Sequence, residues 1–281
     1  MLRTVTVLAI VLTSTLAAAD TAKDVTGALE SIVSGVDEPG DKMSPPRYAS
    51  GSGVAVSPAS FGEARDSSVD SGEARKVVVG VSADKTAAWI NADVAQFSIC
   101  GDETCPKHPK PEGWYHATTL FEVKGPQPVA WQIVEPVSGK DQAAALKKGL
   151  DLQKLDEKID KGAEDPAKLF KDTLGDPKKL AATVSDRKDA VMYGSELAER
   201  YVGGAKIKSQ LAKWNLGFTV KGGVQAGITK SQTVAFVAAY VDAKSVKNPS
   251  GAVSPYRVFA IYEKTITSWK LVSLHFAFTK S

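Results

Sequence analysis

Histidine, cysteine and methionine are scarce in this chain of 281 residues, with three, two and three copies. Three histidines leave little room for imidazole catalysis, and two cysteines cannot build a disulfide-dense scaffold. Several chemical signatures are missing outright. There is no G-x-S-x-G, no H-E-x-x-H, no Walker loop and no C-x-x-C. Gly51 and Gly53 lack the third glycine and the following helix of a dinucleotide fingerprint. No basic stripe with interleaved aromatics is present, which argues against a nucleic-acid partner. What is there, 43% hydrophobic and 24% charged residues, is the composition of a folded protein with a sizeable core.

The one membrane-directed run is Thr4–Leu16, behind Arg3 and ahead of Ala17, Ala18, Ala19 and Asp20. It is too short for a span and has the small residues of a signal-peptidase site, so residues 1–19 read as a signal peptide. The expected destination is the periplasm or the extracellular space, with no membrane anchor after cleavage. Charge divides unevenly beyond the signal. Residues 20–139 carry 10 basic and 17 acidic side chains, and residues 140–281 carry 24 and 15. Complementary halves docking on each other are expected from that asymmetry.

Along the chain, Thr21–Val36 has helical spacing at Val25, Leu29, Ile32 and Val33. Residues 40–75 read as Ser-, Gly- and Pro-rich loop. A hairpin over 76–94 and a strand pair, Tyr115–Val123 and Val129–Val134, follow. The second half opens with helices: Asp141–Lys161, two more begun by Asp165–Pro166 and Asp176–Pro177, and one behind Gly203–Gly204. From Phe218 to the end the pattern is strands.

Self-comparison gives the clearest signal. Gly80–Val81–Ser82 and Thr86–Ala87–Ala88–Trp89–Ile90 match Gly227–Ile228–Thr229 and Thr233–Val234–Ala235–Phe236–Val237 without a gap. Tyr115–His116, Phe121–Glu122 and Trp131–Gln132–Ile133–Val134 match Tyr256–Arg257, Tyr262–Glu263 and Trp269–Lys270–Leu271–Val272. A duplicated four-strand meander preceded by helices predicts an α+β protein. The segments SDRKDAVMYGS (185–195), ERYVGG (199–204), Phe218–Thr219–Val220 with Gly222–Gly223, and the closing YRVFAIYEK and WKLVSLHF resemble a SnoaL-like domain of the nuclear transport factor 2-like superfamily. The resemblance covers residues 140–281, and residues 20–139 look like a degraded, loop-started second copy. It implies two cone-like domains, each a curved antiparallel sheet with helices on one face. The apolar character of both sheet faces predicts that they pack sheet to sheet as an intrachain pseudo-dimer.

Enzymes of that superfamily, ketosteroid isomerases and polyketide cyclases among them, place an acid/base pair in the cone. Here the pocket candidates are Tyr193, Tyr201, Trp214 and Tyr240, with Tyr256 as a further tyrosine, and none stands where a catalytic Asp is expected. Trp89, Asn91 and Asp93 share one face of a strand and read as a polar strand end facing water, the alternative being a general base with an orienting amide beside the Trp. His275 is placed on the outer face of the last strand with Trp269, Leu271, Ser273 and Ala277, opposite Val272, Leu274, Phe276 and Phe278. Cys100 and Cys105 read as a disulfide closing a local loop, the alternative being a metal site with His108 and His116. The resulting expectation is an exported, non-catalytic module that binds a small apolar ligand or serves a structural role, needing no cofactor and no metal. The alternative is an isomerase- or cyclase-type enzyme acting on a small apolar or polyketide-like molecule.

Overall fold

The computed structural model describes residues 21–29, 69–98, 114–124, 127–134, 136–148, 155–245 and 254–278. Residues 21–29 form helix α1, part of the expected first helix. Strands β1 (Val69–Val81), β2 (Ala87–Ser98), β3 (Tyr115–Glu122) and β4 (Gln127–Val134) make a four-stranded antiparallel meander in chain order. Strand β1 starts inside the stretch expected to be loop. The rest of that stretch, the signal segment, Cys100, Cys105 and His108 lie outside the described residues.

Helix α2 (Gly139–Lys148) leads to β5 (Lys158–Ile159), α3 (Glu164–Leu174), α4 (Pro177–Thr183), β6 (Val191–Tyr193), β7 (Arg200–Val202) and α5 (Gly204–Leu211). Four long strands follow: β8 (Leu216–Ile228), β9 (Val234–Ser245), β10 (Ser254–Lys264) and β11 (Trp269–Phe278). The second sheet runs β5-β8-β9-β10-β11-β6-β7, antiparallel except for β5 on β8 and β6 on β11. The whole is α+β, with curved antiparallel sheets and few helices.

Two expectations for the helical stretch are corrected. Residues 155–159 are extended rather than helical: Leu155 bridges Gly222, and β5 lies along β8. Gly223 allows this, because a side chain there would overlap the Glu157 backbone. Asp165 lies within the first turn of α3 rather than at its cap, whereas Asp176 does cap α4, accepting from the backbone N–H groups of Lys178 and Lys179.

The larger sheet buries both faces. Ala235, Val237, Ala239, Val258, Ala260, Tyr262, Leu271, Leu274 and Phe276 join α3, α4 and α5 in one core. Val234, Phe236, Ala238, Phe259, Ile261 and Val272 join Trp89, Leu120 and Trp131 of the smaller sheet in another. Strand β11 departs from simple alternation. Ile261 pairs with Ser273 and Tyr262 with Leu271, so Val272 is an inserted residue. The bulge puts Trp269 and Leu271 on the helix side and Val272 on the sheet side, the reverse of the expected faces, while His275 keeps its expected side.

The two β-turns 82–86 and 229–233 are built alike. Ser82 and Thr229 each close the turn twice, donating the backbone N–H to the carbonyl of Ala87 and Val234 respectively and accepting that residue's N–H on the side-chain oxygen. They also clasp each other reciprocally. Ala83 N–H donates to Glu263 at 2.9 Å, and Lys230 N–H donates to Glu122 at 2.8 Å. Thr86 donates to Ser231, and Thr233 donates to Asp84. In the repeat 83 corresponds to 230, 84 to 231, 86 to 233 and 122 to 263, so each contact is made twice with the roles exchanged. Among the described residues every ion pair stays within 20–139 or within 140–281.

Equivalent positions need not weigh equally. Glu263 is buried and also holds Arg187, whose guanidinium lies over the Trp89 ring and donates to the Val81 carbonyl. Glu122 is half-buried, and the hydrogen bond it accepts from Lys230 N–H is exposed. Glu263→Ala is expected to cost about 1–3 kcal/mol, and Glu122→Ala clearly less. Urea midpoints of the two variants check the ranking.

Candidate functional site

The helix side of the larger sheet is where a cone would hold a ligand, and its chemistry is nearly uniform. Trp214, just past α5, packs edge-on against Phe276 at 5.2 Å and tilts toward Phe218 at 5.8 Å. Tyr201, on β7, is half-buried against the same core. Among the described residues, Thr173 and Thr183 are buried here with their hydroxyls donated to carbonyls of their own helices, whereas the Tyr262 hydroxyl is enclosed without a hydrogen-bond partner, and burial pushes its ionisation well above the usual phenol range. Sequence reasoning passed over Tyr262 because the repeat pairs it with Phe121, an apolar counterpart.

Tyr193 and Tyr240, the other two pocket candidates, lie on the opposite face, toward the smaller sheet. Tyr240 shares its hydrogen bond with the buried Arg257 across the β9–β10 pair. Tyr193 stacks on His116 at 4.2 Å and lies 5.2 Å from His275. Tyr256, half-buried, reaches Gln142 of α2 at 3.3 Å. The four candidates therefore do not converge: two belong to the helix side and two to the contact between sheets.

That contact carries the most concentrated polar chemistry described. Asp93 and His116 face each other across β2 and β3, both buried, with His116 Nδ1 3.1 Å from Asp93 Oδ1. A bulge in β1 follows Arg75, and Lys76, at φ 51°, reaches Asp93 Oδ2 at 2.8 Å. Burial alone would raise the Asp93 carboxyl, but hydrogen bonds from His116 and Lys76 hold it down at about 2. Asn91 accepts from Thr118 and, across the sheets, from Ser273 at 2.7 Å. Gln132 donates to the His275 carbonyl and accepts from Arg257. The expectation that Asn91 and Asp93 face water is thus overturned. Their partners come from neighbouring strands and the second sheet, which cover them completely.

An aspartate–imidazole pair performs acid/base work only if its far nitrogen meets a substrate. Here His116 Nε2 is directed at the Glu196 carbonyl, 3.3 Å away, and the ring face is covered by Tyr193. The pair is occupied by the protein itself. It also corresponds, strand for strand, to Tyr240 and Arg257 in the larger sheet, which argues that this position is reserved for a buried polar pair in both. Among the described residues no group of three or more His, Cys, Asp or Glu side chains is arranged to hold a metal ion.

No family model matches the chain, and no curated protein matches it either. Solved structures do. One, provisionally described as a calcium/calmodulin-dependent protein kinase II association domain from Xanthomonas campestris, is 15% identical and covers 46% of this chain and 98% of its own, with a TM-score of 0.37. A second, provisionally described as a ketosteroid isomerase from Parabacteroides distasonis, is 17% identical, covers 40% and 84%, and has a TM-score of 0.33. A third, from Novosphingobium aromaticivorans, is 14% identical, covers 42% and 82%, and also scores 0.33. It is described as an NTF2-like protein with a cystatin-like fold, so proteins of that description are among the structures to which part of this chain is similar.

Proposed function

We propose that this chain is an exported, non-catalytic binding module. In this reading two SnoaL-like halves pack sheet on sheet as an intrachain pseudo-dimer, and the cone of residues 140–281 takes a small apolar ligand. The observation that carries it is the segregation of chemistry across the larger sheet. Arg257, Glu263 and His275 project toward the smaller sheet, and the helix side is aliphatic and aromatic, with the buried phenol of Tyr262 and the half-buried one of Tyr201. Such a surface suits an apolar molecule with few hydrogen-bonding groups. The pseudo-dimer is supported by the reciprocal clasp of the two turns, the signature of a two-fold contact between equivalent surfaces. An isomerase or cyclase needs an acid or base facing the substrate, and the two pocket tyrosines that meet charged partners, Tyr193 and Tyr240, face away from the cone.

Native mass spectrometry of residues 20–281, beside a denatured control, tests the reading. A small molecule retained in the native spectrum and released on denaturation supports it. Absence of any adduct, together with no change in tryptophan or probe fluorescence when a panel of hydrophobic probes such as anilinonaphthalene sulfonate is titrated, would overturn ligand binding in the cone. If a ligand is retained, Trp214→Ala is expected to weaken it about five- to thirtyfold, because an aromatic wall of this kind contributes on the order of 1–2 kcal/mol. The same spectra, taken without reductant, test the Cys100–Cys105 disulfide through a two-hydrogen deficit.

A further inference from the structure

Two buried histidines sit 6.1 Å apart where the sheets meet, and they are treated differently. His116 has an acceptor at each nitrogen, the Asp93 carboxylate and the Glu196 carbonyl. His275, wholly buried, has no partner at either ring nitrogen. The groups around it explain why a proton there would be unwelcome. From β3 comes His116, from β6 Tyr193, and from β10 the cation of Arg257. On the β11 face that His275 shares with Ser273, β2 offers Asn91, whose carbonyl oxygen is already taken by Thr118 and Ser273. The cluster's carboxylate, Asp93, is committed to His116 and Lys76. Strand β4 supplies Gln132, whose carbonyl oxygen is spent on Arg257.

We propose that His275 makes the contact between the two sheets acid-sensitive, so that a proton on its ring loosens one sheet from the other. A protonated imidazole in this place is a buried cation with two donors, no acceptor and a neighbouring guanidinium. The unfolded or opened chain pays none of that cost, so acid shifts the population toward the opened form. Burial, reinforced by His116 and Arg257, holds the ring well below the usual histidine range. The sign follows: a folded-state affinity for protons lower than the unfolded one means stability is full above about pH 6.5 and declines below it. The decline is separate from that of Asp93, which is lost only as pH falls from about 4 toward 2.

The test uses the full chain. Urea unfolding of the wild type and of His275→Phe is followed by tryptophan fluorescence between pH 7.5 and 5. The wild type is expected to lose about tenfold in its folding equilibrium constant per pH unit below about 6.5, and the variant to lose that slope whatever its absolute stability. Amide exchange, corrected for its intrinsic pH dependence, should accelerate in β2 and β11 first. His275→Gln, which does not titrate, serves if the phenylalanine variant does not fold. A wild type flat across this window overturns the proposal even with no variant in hand. So does a variant that retains the wild-type slope, which would place the sensitivity on another group.

Discussion

Asp93→Ala is expected to be among the most destabilising single changes in this protein, at about 3–5 kcal/mol. The carboxylate is fully buried and anchors His116 on one oxygen and Lys76 on the other. Removing it leaves an imidazole enclosed without its partner and frees the bulge of β1 that Lys76 holds down. Asp93→Asn keeps the shape and can still accept from His116, so a smaller loss is expected from it. The two variants separate charge from hydrogen bonding. The pH arm has a definite sign. An aspartate near 3.9 when unfolded and about 2 when folded contributes stability that is complete above pH 4 and disappears as pH falls toward 2. That portion, on the order of 2 kcal/mol, should be missing from the acid limb of Asp93→Asn. Urea titrations at pH 6 and pH 2 measure it, and an acid limb unchanged by the substitution would place the sensitivity elsewhere.

Gly80→Val is expected to cost about 3 kcal/mol or more, and the reason lies in the residue opposite it. Gly80 pairs with Trp89, and a side chain at Gly80 would overlap the indole ring itself. The ring cannot yield cheaply, because it is completely buried between the sheets and lies under Arg187. Displacing it forfeits much of what Trp89→Ala loses, about 3–5 kcal/mol. The double variant Gly80→Val/Trp89→Ala is therefore expected to be no worse than Trp89→Ala alone. Additive losses would mean that the glycine serves something other than the ring. The same experiment exists in duplicate, since Gly227 pairs with Phe236 and is overlain by it in the same way. Parallel results in both hairpins would establish the glycine–aromatic pair as the shared device that lets each sheet present a large ring to the other.

That device was readable in the sequence, because Gly80 to Trp89 and Gly227 to Phe236 keep one spacing through the repeat. What was not readable depends on partners distant in the chain or on insertions that periodicity cannot register. Asp93 looked exposed because aspartates usually are, and its partners at 76 and 116 are identified only once β1 and β3 flank β2. The faces of Trp269, Leu271 and Val272 were inverted by one inserted residue, which moves every side chain before it to the other face. Leu155 and Ile159 lie four apart, as on a helix, yet they line a sheet edge where Gly223 leaves room for the Glu157 backbone. The face of Tyr193 is not legible in the sequence because a three-residue strand, set between β11 and β7, leaves too short a pattern to assign it. The four candidate aromatics divide between the two faces of the larger sheet, and that division depends on the bulge and on β6.

The reciprocal clasp between the turns at 82–86 and 229–233 has a further consequence. Because both turns belong to one polypeptide, their meeting is a unimolecular event, governed by an effective concentration that dilution cannot change. Thermal midpoints should therefore be independent of protein concentration. Each side of the contact is also free to change alone. In an assembly of identical subunits every substitution at such a contact is entered twice, and a favourable asymmetry cannot be kept. Here one side has aspartate and histidine where the other has tyrosine and arginine, and a single locus encodes both.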